Sequence, residues 1–291
     1  MKKIAIGCGL VLILVLGASA FGIWRVSQWA KDSAPEFDEM AQRRTELLRT
    51  YGSEFDYLPP TDGAYDLARV DTYLEIREAI SAEREELAAR IQANIDWGME
   101  NPDPGFFESM GRIGDAVRII GSIATHATIT DSLLLEREMG LGEYKHYHAT
   151  LFWGWMEPES ERARWAEPLE RLFADYDNDM AEAMLEMRDT VDEAASTLLR
   201  AHLENLVEAS ESAPSDSADA YLALIRSGDP DLPFADPLPP ALEAAFEDRA
   251  VTIRMSAPES FSAWLAEMAI FIEFEANEKG TGVSREITVG F

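Results

Sequence analysis

Asp175, Asp177 and Asp179, followed by Glu186, reproduce positions 1, 3, 5 and 12 of a calcium-binding loop. Oxygen donors at alternate residues converge on a hard cation in such a loop, and a bidentate glutamate closes the shell. Position 6 must make a tight turn at positive φ, which glycine does freely, but here it is Met180. Glu182 stands at position 8, where an apolar side chain normally packs, and the residues after Asp177 read as a continuing helix. The spacing argues for calcium and the residue types argue against it, so neither a metal nor a cofactor is expected.

Glu143-x-x-His146 has the spacing of half a di-iron carboxylate site in a helical bundle. The other half would need a second Glu-x-x-His, and neither His126 nor His202 has a glutamate three residues before it. His148 is expected on a wet aromatic surface and His126 as a hydrogen-bonded core residue. Around them Tyr144, Tyr147, Phe152, Trp153 and Trp155 concentrate rings in a short stretch. Tyrosine and tryptophan offer large contact area with a polar handle, so Tyr144, Tyr147, His148, Trp153 and Trp155 are the candidate ligand- or partner-binding residues. The competing reading is a core-filling helix with a few rings half exposed. No Gly-x-Ser-x-Gly occurs, Ser109 and Ser122 lack a placeable His–acid pair, and Gly280-x-Gly282 lacks the rest of a phosphate-cradling pattern. With 54 acidic residues every carboxylate pairing is available, so none is informative for hydrolysis.

Helical periodicity supplies the scaffold for these side chains. Ser33, Pro35 and Glu36 start a helix whose stripe is Phe37, Met40, Leu47 and Tyr51. Gly52–Gly63 reads as a loop. A long helix is expected from Asp66 to about Trp97, with Leu67, Val70, Leu74, Ile80, Leu87, Ile91 and Ile95 inward and Glu83, Arg84, Glu86 and Arg90 outward. Phe106–Met139 is the most apolar segment of the domain. Its Ile119–Thr130 stretch is too short to span a bilayer and reads as a buried core helix. Gly111, Gly114 and Gly121 are expected to admit a close neighbour, and Gly140 to cap the end. Further helices are expected at Glu143–Glu157, between Pro158 and Pro168, at Leu169–Ala209, near Ala218–Arg226, 240–249 and 258–275, with a proline-rich linker at Gly228–Pro240. Alternation at Val251, Ile253 and Met255, and at Ile287 and Val289, suggests a small terminal strand pair.

Ile4–Trp24 is an uncharged run of 21 residues behind Lys2 and Lys3. As a helix it spans about 31 Å, close to the thickness of a bilayer core. It is expected to anchor the chain in the inner membrane as a single pass, N-terminus inside, with Trp24 and Trp29 at the outer interface. The alternative is a signal peptide cleaved after Ala18-Ser19-Ala20, before Phe21, leaving a soluble periplasmic protein. Cys8 lies inside this run, so the exported domain can use no disulfide or thiolate site. With Lys2 and Lys3 set aside, 23 basic side chains meet 54 acidic ones, a formal charge of −31 on residues 25–291. That charge repels nucleic acid and anionic lipid, and favours basic peptides or proteins.

The basic leader with its single apolar segment, the Tyr57–Gly63 stretch, Leu67 followed by Tyr73-Leu74-x-Ile76-Arg77, and Leu141-x-Glu143-Tyr144 resemble a group of uncharacterised bacterial exported proteins. The resemblance covers the first half of the chain and implies a membrane-anchored helical envelope domain without a known activity. Lys145-His146 stands where such proteins often carry a tryptophan.

The sequence thus predicts an all-α chain: an irregular bundle of about eight helices behind one N-terminal transmembrane helix, with a minor C-terminal strand pair. Residues 1–24 form the anchor or signal peptide, and residues 25–291 the acidic extracytoplasmic domain. The expected function is that of a non-catalytic, membrane-tethered envelope protein that binds a partner protein or peptide and no nucleic acid. The alternatives are a ligand-sensing or ligand-holding domain, with a closed apolar pocket near the aromatic helix, or a carboxylate-based hydrolase.

Overall fold

Pro35 opens helix α1 (Pro35–Tyr51), a position where its missing N–H costs nothing because the first helical donors have no intrahelical partner. The computed structural model describes residues 35–60, 65–101, 106–151, 178–210, 240–255, 261–268, 273–276 and 287–290. Gly52, at φ 84°, turns the chain out of α1 into a short 3-10 turn, Glu54–Asp56. A capping box closes that turn: the Ser53 hydroxyl accepts the Phe55 N–H, and the Asp56 carboxylate accepts the Ser53 N–H at 2.6 Å. Asp66 caps α2 (Leu67–Ala79) by accepting the Ala68 N–H at 2.9 Å. There follow α3 (Ser81–Glu100), α4 (Phe106–Glu136), α5 (Leu141–Ala149), α6 (Asn178–Ser210), α7 (Pro240–Asp248), α8 (Ala250–Met255) and α9 (Phe261–Met268). Among the described residues the architecture is therefore helical, with nine α-helices. Beyond them Glu273–Ala276 pairs antiparallel with Ile287–Gly290, Glu273 opposite Gly290.

Two apolar clusters organise the helices. The larger gathers Leu47 of α1, Val70 and Tyr73 of α2, Leu134 at the end of α4, Tyr147 of α5, Leu199 and Leu203 of α6, and Phe246 of α7. The smaller joins Leu87, Ile91 and Ile95 of α3 to Ile119 of α4 and to Leu265 and Ala266 of α9. Helix α1 lies along α4, α9 lies on α3, and the 3-10 turn sits on α5 and α6.

Several expectations are corrected. The single helix from Asp66 is two, parted at Ile80 (φ −92°, ψ 1°), although i→i−4 hydrogen bonds continue on both sides. Arg84, expected outward, is buried because it turns to an acid on α9. Gly140 is not the cap of α4 but the N-cap of α5, at φ −73°. The left-handed residue is Glu138, at φ 53°, and Met139 N–H returns to the Leu134 carbonyl at 2.9 Å. This is a Schellman closure in which the Met139–Leu134 contact and an Arg69 hydrogen bond to the Glu138 carbonyl offset the strain of a non-glycine residue. Among the described residues nothing lies within 4 Å of a Cβ built at Gly121, so none of them is the close neighbour expected there. Val251, Ile253 and Met255 lie in helix α8 rather than in a strand, because Ile253 joins the larger core from a helical turn. Ile4–Trp24 lies outside the described residues, and among those described no helix is long and apolar enough to cross a membrane.

Gly142 allows the 3-10 turn its close seat. A Cβ there would stand 2.4 Å from the Glu54 carbonyl oxygen and 2.9 Å from Tyr57 Cβ. The carbonyl is backbone and the Tyr57 Cβ is bonded directly to backbone, so little can give. Gly142→Ala is expected to destabilise the protein by about 2 kcal/mol, the overlap outweighing a helix-propensity gain of about 1 kcal/mol. A urea midpoint equal to or above that of the parent would refute this seating.

Candidate functional site

Helix α5 is unusual in being covered nearly all round: of its nine residues only Glu143 escapes burial. Its sequence is nonetheless polar, with Tyr144, Lys145, His146, Tyr147 and His148 in succession. Each buried polar group must find a partner or leave an uncompensated desolvation cost. The partners come from four directions. Glu143 takes both arms of Arg69 of α2, at 2.8 and 2.5 Å. Lys145 pairs with the Glu54 carboxylate of the 3-10 turn. His146 faces Tyr65 and His202 of α6, while His148 faces Tyr73 and Arg77 of α2.

All four histidines of the chain are buried, and burial lowers the pKa of each. His126 and His202 are pushed down to about 4, and His146 and His148 lie well below the ordinary value. Neutral imidazoles carry one N–H each, so the hydrogen-bond partners decide the tautomers. The Glu54 carbonyl, 2.7 Å from His202 Nε2, can only accept, which places the His202 proton on Nε2. His202 Nδ1 therefore accepts from His146 Nδ1 at 3.2 Å. His146 Nε2 is left to accept the Tyr65 hydroxyl, also at 3.2 Å. The result is one directed chain: Tyr65 O–H to His146, His146 N–H to His202, His202 N–H to the Glu54 carbonyl. Tyr57 covers it, with its ring centroid 5.1 Å from that of His146 and 5.3 Å from that of His202.

A second chain lies on the other side of α5. Arg77 Nη1 donates to the Tyr73 hydroxyl at 3.1 Å and to His148 Nδ1 at 3.2 Å, so the His148 proton belongs on Nε2. Arg77 also pairs with Glu267 Oε1 of α9, and Arg84 Nη1 reaches the same oxygen at 3.3 Å. Burial raises the Glu267 carboxyl pKa, with the two guanidiniums pulling it back. Desolvation lowers Arg77, but Glu267, Tyr73 and Tyr144 more than reverse it and leave it above its ordinary value. Tyr73, desolvated, is pushed up to about 12 and remains a hydroxyl. This Arg77–Glu267–Arg84 triad carries one excess positive charge between the two apolar clusters. Asp131 of α4 faces Arg44 of α1 at 2.8 Å, and burial raises its pKa. Both buried carboxylates among the described residues thus meet guanidinium groups rather than a second carboxylate.

Searches against known protein families, curated proteins and solved structures return no match.

Tyr144, Tyr147 and His148 are 2%, 1% and 1% exposed, so the expected wet surface around His148 is instead core. The 3-10 turn, α1, α2, α4 and α6 close over α5, and its rings fill the space between them. Trp153 and Trp155 lie outside the described residues, as do Asp175 and Asp177. Asp179 and Glu186 fall within α6, whose backbone is already helical from Asn178, not turned as a calcium loop requires. Glu143 and His146 serve different partners, Arg69 on one side and His202 on the other. Among the described residues no three His, Cys, Asp or Glu side chains come together to hold a metal. His126 is buried as expected, but its Nδ1 has no hydrogen-bond partner among the described residues.

Tyr65, Tyr73, Arg77, Arg84, His202 and Glu267 were not among the expected site residues. Three of them left a signal. His202 lies on the Leu199–Leu206 stripe of α6, Arg77 continues Val70–Tyr73–Leu74, and Arg84 sits between Ile80 and Leu87. A titratable residue on an apolar stripe is a buried residue that needs a partner. Glu267 carried no comparable mark.

Proposed function

We propose that the chain is a membrane-tethered envelope protein that binds a partner protein or peptide with a basic surface. The supporting observation is how folding partitions charge. Arg77, Arg84 and Lys145 are withdrawn into the core. The exposed Arg43, Arg90, Arg118 and Arg137 each pair with a neighbouring acid, Glu46, Glu86, Asp115 and Glu75. Glu85, Asp96, Glu193, Glu204, Glu243 and Glu247 meanwhile face solvent. Among the described residues the core holds these three cations against two acids, Asp131 and Glu267, so the large acidic excess of the chain stays on the outer surface, which suits electrostatic recruitment of a cationic partner. Ile4–Trp24 is the proposed tether, with the domain outside the membrane. An intact leader in the mass of the mature protein supports the tether, and a start at Phe21 replaces it with a soluble envelope protein.

Crosslinking in intact cells with the full chain is expected to return an envelope protein with a basic face. Its binding to the purified chain should weaken about tenfold or more between low and high salt as the charges are screened. A chain that captures no envelope partner and turns over a substrate, or a partner held equally at high salt, overturns the proposal.

A further inference from the structure

The 3-10 turn Glu54–Asp56 contains no buried residue. Its hold on the body is largely polar. His202 donates to the Glu54 carbonyl at 2.7 Å, Asn205 Nδ2 donates to the carbonyls of Phe55 at 2.7 Å and Tyr57 at 3.1 Å, and Lys145 grips the Glu54 carboxylate. Residues 54–56 themselves bury little, and lifting them with Tyr57 uncovers the histidine pair under its ring, which places the turn among the segments that open at less cost than the helices. We propose that the His146–His202 pair is an acid-sensitive latch on this turn, and that proton uptake at the pair releases residues 53–58 from helices α5 and α6 while the helices themselves stay folded.

The hydrogen-bond order explains both the hold and the release. At neutral pH every member of the Tyr65–His146–His202–Glu54 chain has one defined role. One added proton is accommodated by reversing part of the chain: His202 then carries hydrogens on both nitrogens, His146 accepts at Nδ1, and its own hydrogen moves to Nε2 and points at the Tyr65 oxygen. A second proton has no such solution, because two N–H groups would face each other across 3.2 Å. The pair therefore takes up one proton.

The resulting cation is poorly placed. Tyr57 from the segment after the turn, Tyr65 from the segment before α2, and Tyr147 of α5 enclose it with rings. Desolvation is the largest effect against it; the Glu54 carbonyl and carboxylate pull the other way, and Lys145 of α5 adds a smaller like-charge repulsion. Lifting the turn admits water, which solvates the charge. His202 at about 4, against an ordinary 6.5, indicates how strongly the closed turn resists protonation.

The test uses the full chain in detergent micelles, labelled with nitrogen-15 and followed by imidazole nitrogen shifts and backbone amide exchange corrected for intrinsic rate. At pH 7, His202 is expected to carry its proton on Nε2 and His146 on Nδ1. As the pH falls from 6.5 toward about 4, amides of residues 53–58 should lose protection before those of α5 and α6. The variant His146→Gln/His202→Gln keeps the donor–acceptor order with amides that take up no proton, and its turn should stay closed about tenfold more than the parent's near pH 5. A His146 proton on Nε2 at pH 7 overturns the latch. So does a double variant that opens at the same pH as the parent. Should that variant fail to fold, the parent's tautomers decide alone.

Discussion

Glu267→Ala is expected to cost about 3–5 kcal/mol, more than any other single change considered in the described core. Among the described residues the Glu267 carboxylate is the acid that meets the buried guanidiniums of Arg77 and Arg84, both of which reach its Oε1. Arg77 is 1% exposed, so it cannot turn to water without opening the seam between α2, α3 and α9. The Tyr73 ring, 5.8 Å below the guanidinium, gives some cation–π support but no counter-charge. Removing Glu267 thus leaves two like charges buried side by side. Replacing all three residues by methionine should recover most of the loss, since desolvation of the whole triad is then avoided. Urea unfolding measures both. A loss below about 1 kcal/mol for Glu267→Ala would mean that the group is solvated, and the triad would be abandoned.

The second large effect is an acid transition set by histidine rather than by carboxylates. The ordinary imidazole value is 6.5, and in the folded chain His126 and His202 sit near 4, with His146 and His148 well below 6.5. A depressed value means that the folded state binds fewer protons than the unfolded state. The stability that each neutral imidazole contributes is therefore complete above pH 6.5 and is lost as the pH falls toward the folded value. For His126 and His202 the loss by pH 4 is about 3 kcal/mol each, set against a total stability of about 5–15 kcal/mol. Asp131 and Glu267, raised by burial, act in the opposite sense and soften the fall between their raised folded values and the ordinary carboxylate range. Denaturant midpoints should rise steadily from pH 4 to 6.5 and level off above. His126→Leu, which also removes an Nδ1 without a partner among the described residues, should flatten that slope by about one proton. A midpoint independent of pH across this range would contradict the buried, neutral assignment.

Much of the helical framework was legible because it rests on local physics. Pro35 at a helix start, a second helix beginning near Asp66, the stripe of Leu87, Ile91 and Ile95, and helix α6 with its inward leucines all follow from propensity and period. The errors arose where tertiary partners override those rules. Arg84 looked like an outward charge until Glu267, far along the chain, gave it a buried counterpart. Gly140 looked like a C-cap, but Glu138 takes the left-handed position because Met139 packs on Leu134 and Arg69 reaches over. Tyr144, Tyr147 and His148 looked like a binding surface because tyrosine and histidine suit both wet interfaces and satisfied cores, and one chain segment cannot reveal which neighbours will cover it.

By itself the sequence determined the helical class, the acidic charge, the absence of cysteine beyond Cys8 and the uncharged run Ile4–Trp24, all of which depend on composition or on residues adjacent in the chain. Only the tertiary structure decided that α5 is sheathed, that every histidine is buried, and that Tyr65, His146, His202 and the Glu54 carbonyl form one directed chain. The physical reason is that a buried polar group is defined by its partners, and these partners stand 56 to 148 residues apart in the chain. Local patterning can mark His202 as a polar residue on an apolar face, but only packing supplies the carbonyl that fixes its proton.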